Sequence, residues 1–285
     1  MPVQTVQIRI LIEDSNSLTK PDLISKHGLS FYIRATIGDD KVTILMDTGP
    51  SSGALLRNVD SLGVNLEDVD VVVLSHGHYD HTGGLLDALK QIRKRVPVIG
   101  HPTLFEPKLK LIRHLRLIGA PFRVSDVESV GGVPILVSDP VKIADGITTT
   151  GEVPRITEFE NVRGFWTVNK GRFASDIIID DQSLVMDVEG KGLIVVSGCA
   201  HSGIINSIKY AQKITGNNKV YGVLGGFHLI SADAKRIQST VDELEKLNIA
   251  FIGPCHCTGK EATKKFAEAF GDKCRPLHSG DIVEI

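Results

Sequence analysis

The stretch Val69-Asp70-Val71-Val72-Val73-Leu74-Ser75-His76-Gly77-His78-Tyr79-Asp80-His81 decides how the chain is read. Its first six residues are a short, almost continuous apolar run, the pattern of a strand covered on both faces. That strand delivers the chain into a loop that packs three imidazoles and a carboxylate into residues 76–81. Beyond it, Gly83 to Arg95 carries apolar residues at helical spacing, so Gly83-Gly84 should sit at a helix N-terminus. Imidazole nitrogen binds zinc at about 2.1 Å, and a carboxylate adds an anionic partner. Alternate residues of an extended turn project to the same side, so His76 and His78 can grip one cation while Asp80 and His81, past a bend, face a second. Two cations roughly 3.5–4 Å apart can act together on one electrophile. The competing reading, a run of solvated histidines, leaves their position at a strand end unexplained.

Outward from the loop, the earlier segments alternate like paired strands. Val6 to Ile12, Leu29 to Ile37 and Lys41 to Met46 are rich in β-branched residues, with Gly38-Asp39-Asp40 as a hairpin turn. Asp47-Thr48-Gly49-Pro50 then breaks the last strand. A second set repeats this layout: Ser183 to Val188, a glycine turn, Leu193 to Val196, the elbow Ser197-Gly198-Cys199-Ala200-His201, and a helix from Ile204 to Ile214. Lys219 to Leu224 and Ile249 to Ile252 are further buried-strand candidates, followed by Gly225-Gly226-Phe227-His228 and Pro254-Cys255-His256-Cys257. Each polar cluster falls where a strand ends, where open α/β architectures place their ligands. The chain thus reads as two similar β/α halves facing one site. Between about Gly100 and Phe173 the pattern is irregular, with a helix-like stretch from Leu104 to Leu117. It is read as an insertion covering the site, or else as a plain connection.

Bulk properties narrow the options. The 285 residues carry 32 basic and 34 acidic side chains, a formal charge of -2, with no dense Lys/Arg block, so a nucleic-acid surface is not indicated. The basic runs Lys90 to Arg95 and Lys108 to Arg116 read as solvated helix faces. No stretch reaches ~18 apolar residues and Met1 to Ile12 lacks a secretory pattern, so a cytoplasmic protein with no membrane partner is expected. Four cysteines are too sparse for a disulfide framework, and Cys255-His256-Cys257 has one spacer where structural zinc knuckles usually have two.

The loop resembles the signature of the metallo-β-lactamase fold superfamily, which implies a four-layer αβ/βα fold over residues 1–285. By that resemblance, His76, His78 and His201 hold a first metal, and Asp80, His81 and His256 a second. Asp47 orients the loop from behind. Cys199 stands where the superfamily often has a bridging aspartate, so it is either a thiolate ligand or a small buried residue. The segments His27-Gly28-Leu29-Ser30, Thr150-Gly151-Glu152-Val153-Pro154-Arg155, Asp180-Asp181-Gln182, Gly198-Cys199-Ala200-His201, Gly225-Gly226-Phe227-His228-Leu229 and His256-Cys257-Thr258-Gly259 are together similar to the dihydropteroate-synthase-like branch. Its archaeal representative joins a dihydropterin to a ribofuranosyl-aminobenzene phosphate.

The resemblance implies one or two zinc ions, with manganese or iron as alternatives, and a small-molecule substrate that is phosphorylated or pterin-like. Asp80 is expected as ligand and positioner. His228 is a proton donor or substrate contact, or else a hydrogen-bonded strand-end histidine. Glu152 and Arg155 are candidate substrate contacts, Arg155 as an anion clamp. Phe165, Trp166 and Phe227 are candidate walls for a flat ring. His27, His101, His114 and His278 are read as structural. Hydrolase and transferase chemistries both fit such a site; a diiron redox protein and a catalytically silent metal-binding protein are the rival classes.

Overall fold

The computed structural model describes residues 2–111 and 113–285. β1 (Thr5–Ile12), β2 (Ser30–Ile37) and β3 (Asp40–Met46) form an antiparallel meander. Gly38 turns the β2–β3 hairpin at φ 61, a left-handed conformation cheap for glycine. After α1 (Ser52–Ser61), β4 (Val71–Val73) enters parallel to β3. The single turn α2 (Tyr79–Thr82), α3 (Leu85–Ile92) with Gly84 at its N-cap, and β5 (Val96–Gly100) follow. Next come β6 (Lys108–Leu111), β7 (Leu115–Leu117), α4 (Val124–Ser129), β8 (Gly132–Leu136), β9 (Lys142–Ala144), β10 (Ile147–Thr149), β11 (Phe165–Asn169) and β12 (Arg172–Ser175). The second half runs β13 (Ser183–Val188), β14 (Gly192–Ser197), α5 (Ile204–Thr215), β15 (Val220–Gly226), α6 (Ala234–Lys246), β16 (Phe251–Cys255), α7 (Lys260–Phe270) and β17 (Ile282–Glu284).

These strands assemble into a seven-stranded sheet, β17-β1-β2-β3-β4-β5-β8, and a six-stranded sheet, β16-β15-β14-β13-β10-β9. Period-two alternation decides what each sheet face covers. Ile44, Val71 and Val73 face inward and meet Met186, Ile194, Val196 and Leu224 of the opposite sheet. Leu45 and Val72 face outward, beneath Leu55 and Val59 of α1 and Leu85 and Leu89 of α3. On the other side, Val195, Val223 and Ile252 pack under Ile208 of α5, Val241 of α6 and Phe266 of α7. The result is helix, sheet, sheet, helix, and it explains why β4 reads as continuously apolar.

The segment 100–173 is divided among three sheets. β8 extends the seven-stranded sheet and β9–β10 the six-stranded one, while β6, β7, β11 and β12 build a separate four-stranded sheet of order β12-β11-β6-β7. The helix expected over Leu104–Leu117 is therefore a β-hairpin, β6–β7. Lys108-Leu109-Lys110-Leu111 also alternates with period two, and its distant partner β11 selects that pairing. The hairpin borders the histidine loop, where the Tyr79 amide donates to the Ile118 carbonyl at 2.9 Å. Among the described residues, no helix is long and apolar enough to cross a membrane.

Candidate metal centre

The loop after β4 is pinned by buried carboxylates. Asp47, just past β3, is fully buried with φ 57, a strained conformation that short polar residues tolerate. Its Oδ1 accepts the Ser75 amide at 2.8 Å; its Oδ2 accepts the Ser75 hydroxyl at 2.7 Å and contacts His81 Nδ1 at 2.7 Å. From the other half, Asp180 Oδ2 accepts the Gly77 amide at 2.7 Å, and Asp180 Oδ1 is bound by the buried Lys108 ammonium of β6. Gly77 is required because a Cβ there would lie 2.0 Å from the Leu104 carbonyl oxygen. Asp181 turns away and accepts the Ser202 amide at 2.9 Å.

Three imidazoles meet behind this scaffold. Ring centroids of His76 and His78 are 4.5 Å apart, His76 and His201 4.8 Å, and His78 and His201 5.0 Å. Their ligand atoms all lie within 4.8 Å of one another. Burial, reinforced by neighbouring imidazoles, holds His76 and His201 well below the ordinary histidine pKa, and burial takes His78 down to about 3. They are therefore neutral, the form that binds a cation. Among the described residues, His78 Nε2 and both ring nitrogens of His201 are buried without a hydrogen-bond partner. Leaving such a group unpaired costs about 1–3 kcal/mol, so this donor set fits a metal ion.

Asp80, His81 and His256 form a second group beside the first. His81 Nε2 is 3.3 Å from His256 Nε2, and Asp80 Oδ2 is 3.6 Å from His256 Nε2 and 4.0 Å from His81 Nε2. Cys199 Sγ contacts His81 Nε2 at 3.2 Å. Burial opposes charge on His81, but Asp47 and Asp80 carry its pKa up to about 9. His256 is oriented by two residues past β1: its Nδ1 contacts Asp14 Oδ1 at 2.7 Å and its amide donates to Glu13 Oε1 at 2.7 Å. His27 belongs here too, with Nδ1 2.9 Å from Asp14 Oδ2 and Nε2 3.4 Å from Asp80 Oδ2. These contacts place His27 beside the second group, and Glu13 and Asp14 were missed. Their signal was present all the same: two acids directly after an apolar strand.

Both groups open into a cavity of about 390 Å³ lined by His78, Asp80, His201 and His256, with His27 and His228 on its walls. A larger cleft, about 910 Å³, lies on the far side of His256 and lacks the first group of imidazoles. His228 follows β15 with φ 46, its ring 4.2 Å from that of His201, and its buried Nδ1 has no partner among the described residues. Phe165 stacks on His78 at 5.3 Å, and Lys110 Nζ stands 5.1 Å over the Phe165 ring. Arg116 of β7 also lines the cavity. Trp166 and Phe227 are not walls: alternation along β11 turns Trp166 toward Phe173 on the other face, and Phe227 is buried against Phe266. Glu152 and Arg155 do not line the cavity either. Glu152 faces His101 at 3.5 Å, and the Arg155 guanidinium donates to the Ile177 and Ile178 carbonyls, so it closes a loop.

A two-sheet sandwich with imidazoles and acids gathered at its strand ends defines a class, and the chain belongs to the metallo-beta-lactamase superfamily, whose sequence model matches residues 26–163. Members of this superfamily typically bind metal. Among particular relatives, a 7,8-dihydropterin-6-methyl-4-(beta-D-ribofuranosyl)-aminobenzene-5'-phosphate synthase of Methanocaldococcus jannaschii is 38% identical over 99% of this chain and 98% of its own length. A solved metal-dependent hydrolase of the beta-lactamase superfamily superposes with a TM-score of 0.82 at 26% identity, covering 98% of this chain and 99% of its own. The metallo-beta-lactamase fold protein YhfI of Bacillus subtilis, 13% identical with a TM-score of 0.58 over 99% of this chain and 100% of its own, shares the fold.

Proposed function

We propose that the chain is a metal-dependent enzyme acting on a small phosphorylated substrate with a flat ring, joining a dihydropterin to an aryl-amine phosphate to give a product of the kind for which its M. jannaschii relative, a dihydropterin-methyl-aminobenzene phosphate synthase, is named. One observation carries this reading: the walls of the cavity that receives the two ligand groups include the aromatic rings of Phe165 and Tyr79 and two cationic side chains, Lys110 and Arg116. His76, His78 and His201 would hold a first zinc ion, and Asp80, His81 and His256 a second. Bound there, zinc supplies Lewis acidity, polarising a phosphoryl oxygen.

The chain's own groups do the rest. The Phe165 ring offers a face for a heterocycle, and Lys110 and Arg116 bind the phosphate charge. As the amine nitrogen forms its bond to the pterin methylene carbon, the carbon–oxygen bond to a diphosphate leaving group breaks, and His228 takes the proton lost by nitrogen. Asp80 stays a positioner, since its Oδ2 already lies between three imidazoles, within 4.0 Å of each.

The hydrolase relative supports a second reading, in which water replaces the amine. One experiment separates the two: zinc-loaded protein is given a dihydropterin diphosphate with and without the aryl-amine phosphate, and separately phosphodiester and thioester substrates. Coupled product supports the transferase; water-cleaved product alone supports the hydrolase. No turnover of any substrate after loading with zinc, manganese or iron sinks both.

A further inference from the structure

Two buried thiols stand beside the second ligand group, and no role above uses them both. Cys199 and Cys257 are 3% and 4% exposed, and each lies among imidazoles. Cys255, two residues from Cys257 on the same strand end, is equally hidden but packs into the apolar core between the sheets, as an ordinary buried cysteine does. The ligand atoms of Cys199, His256 and Cys257 all lie within 4.8 Å of one another, and so do those of His76, His81 and Cys199. Two sulfurs bound to one zinc ion at about 2.3 Å each are at most about 4.6 Å apart, so one ion nearly spans the first set as it stands. Cys199 thus touches both groups, whereas Cys257 belongs to the second. Gly226 keeps the place open, because a Cβ there would come within 2.6 Å of Cys257 Sγ and 3.4 Å of Cys199 Cα.

We propose that Cys257, together with Cys199, completes the second cation position as a thiolate and imidazole set, so that this position takes a thiophilic divalent cation of the zinc class in preference to a hard one such as magnesium or manganese. The inference rests on the metal-centre reading above and not on the choice of substrate. Sulfur ligands favour zinc, cobalt and iron over oxygen-seeking ions, and ligation releases the thiol protons to solvent.

The test is cobalt titration of the metal-free native chain under reductant, read by thiolate-to-cobalt charge-transfer absorption, with alkylation of the thiols by iodoacetamide alongside. The expected result is absorption that grows with the second equivalent, and protection of Cys199 and Cys257 from alkylation. Cys257→Ser should lose about half of that absorption and bind the second equivalent about tenfold more weakly, with manganese competing correspondingly better. Its first equivalent should be retained, which also reports that the variant is folded. Cys255→Ser should behave as native. Two cobalt ions bound with no sulfur absorption, or Cys257 alkylated equally fast with and without cobalt, overturns this inference alone. A native chain that binds no cobalt overturns it together with the metal-centre reading.

Discussion

The two halves of the centre hold their ligand candidates in opposite ways. In the first, His76, His78, Asp80 and His81 come from one loop after β4, and that loop is tied down by Asp47 and Asp180 through hydrogen bonds to Ser75, His81 and Gly77. In the second, β14, β15 and β16 each contribute one imidazole just beyond their ends, at left-handed backbone: Ala200 at φ 49 before His201, His228 at φ 46 and His256 at φ 49. Strain of this kind collects where function needs a side chain aimed. Among the described residues, only His256 of those three has carboxylate support, and both nitrogens of His201 lack partners. The first half is therefore held by hydrogen bonds to buried carboxylates, Asp180 among them reaching over from the other half, and the second depends more on what it binds.

The largest effect expected is the loss of the first cation position. His78→Ala and His201→Ala should each remove about one metal equivalent and lower kcat/KM by about a hundredfold or more, a few kcal/mol of transition-state stabilisation. Elemental analysis and turnover check it. If only His78→Ala loses metal, the second half does not belong to the centre.

Next in size, Asp47→Ala should weaken metal binding roughly 10- to 100-fold, the usual cost of removing a group that orients a ligand. Asp14→Ala, which removes a half-exposed carboxylate behind His256, should fall at the lower end of that range. Competition with a chromogenic chelator measures both, and equal losses would erase the contrast between the halves.

Smaller again, Lys110→Ala and Arg116→Ala should each raise KM for a phosphorylated substrate about tenfold with kcat little changed. Arg155→Ala should leave KM alone; a KM rise there would return the anion clamp to that residue.

The smallest change per residue is in the pH dependence of stability in the metal-free chain. His81 is raised to about 9, so its contribution is fully present below pH 6.5 and lost as pH rises through 9. His76, His78 and His201 are depressed, so the unfolded chain takes up protons that the folded one refuses. Stability therefore falls as pH drops below 6.5, for His78 until about pH 3. Urea midpoints should peak near pH 6.5, and His201→Ala should flatten only the acid limb. A native profile that is flat from pH 5 to 9 would contradict this account.

The contrast between the halves also marks what could be read in advance. The loop at residues 76–81 announces itself because its ligand types are neighbours in sequence, and the β4 run before it identifies a strand buried on both faces. Resemblance extended that reading to Asp47, Cys199, His201 and His256. The misreading of Leu104–Leu117 as helix came from a short apolar pattern that suits either period, where only pairing with β11 selects the strand. That pairing places Phe165, Lys110 and Arg116 around the cavity.

Sequence alone thus determined the architecture of two apolar β/α halves and the chemistry of one loop, because periodicity and ligand clustering are local properties of the chain. Only the tertiary structure decided that Glu13 and Asp14 support His256, that His27 faces Asp80, that Lys108 and Asp180 brace Gly77, and that Arg155 serves a loop. Each of those contacts joins segments far apart in the chain. Their partners are chosen by how the two sheets and the small covering sheet pack, and local pattern carries no record of that choice.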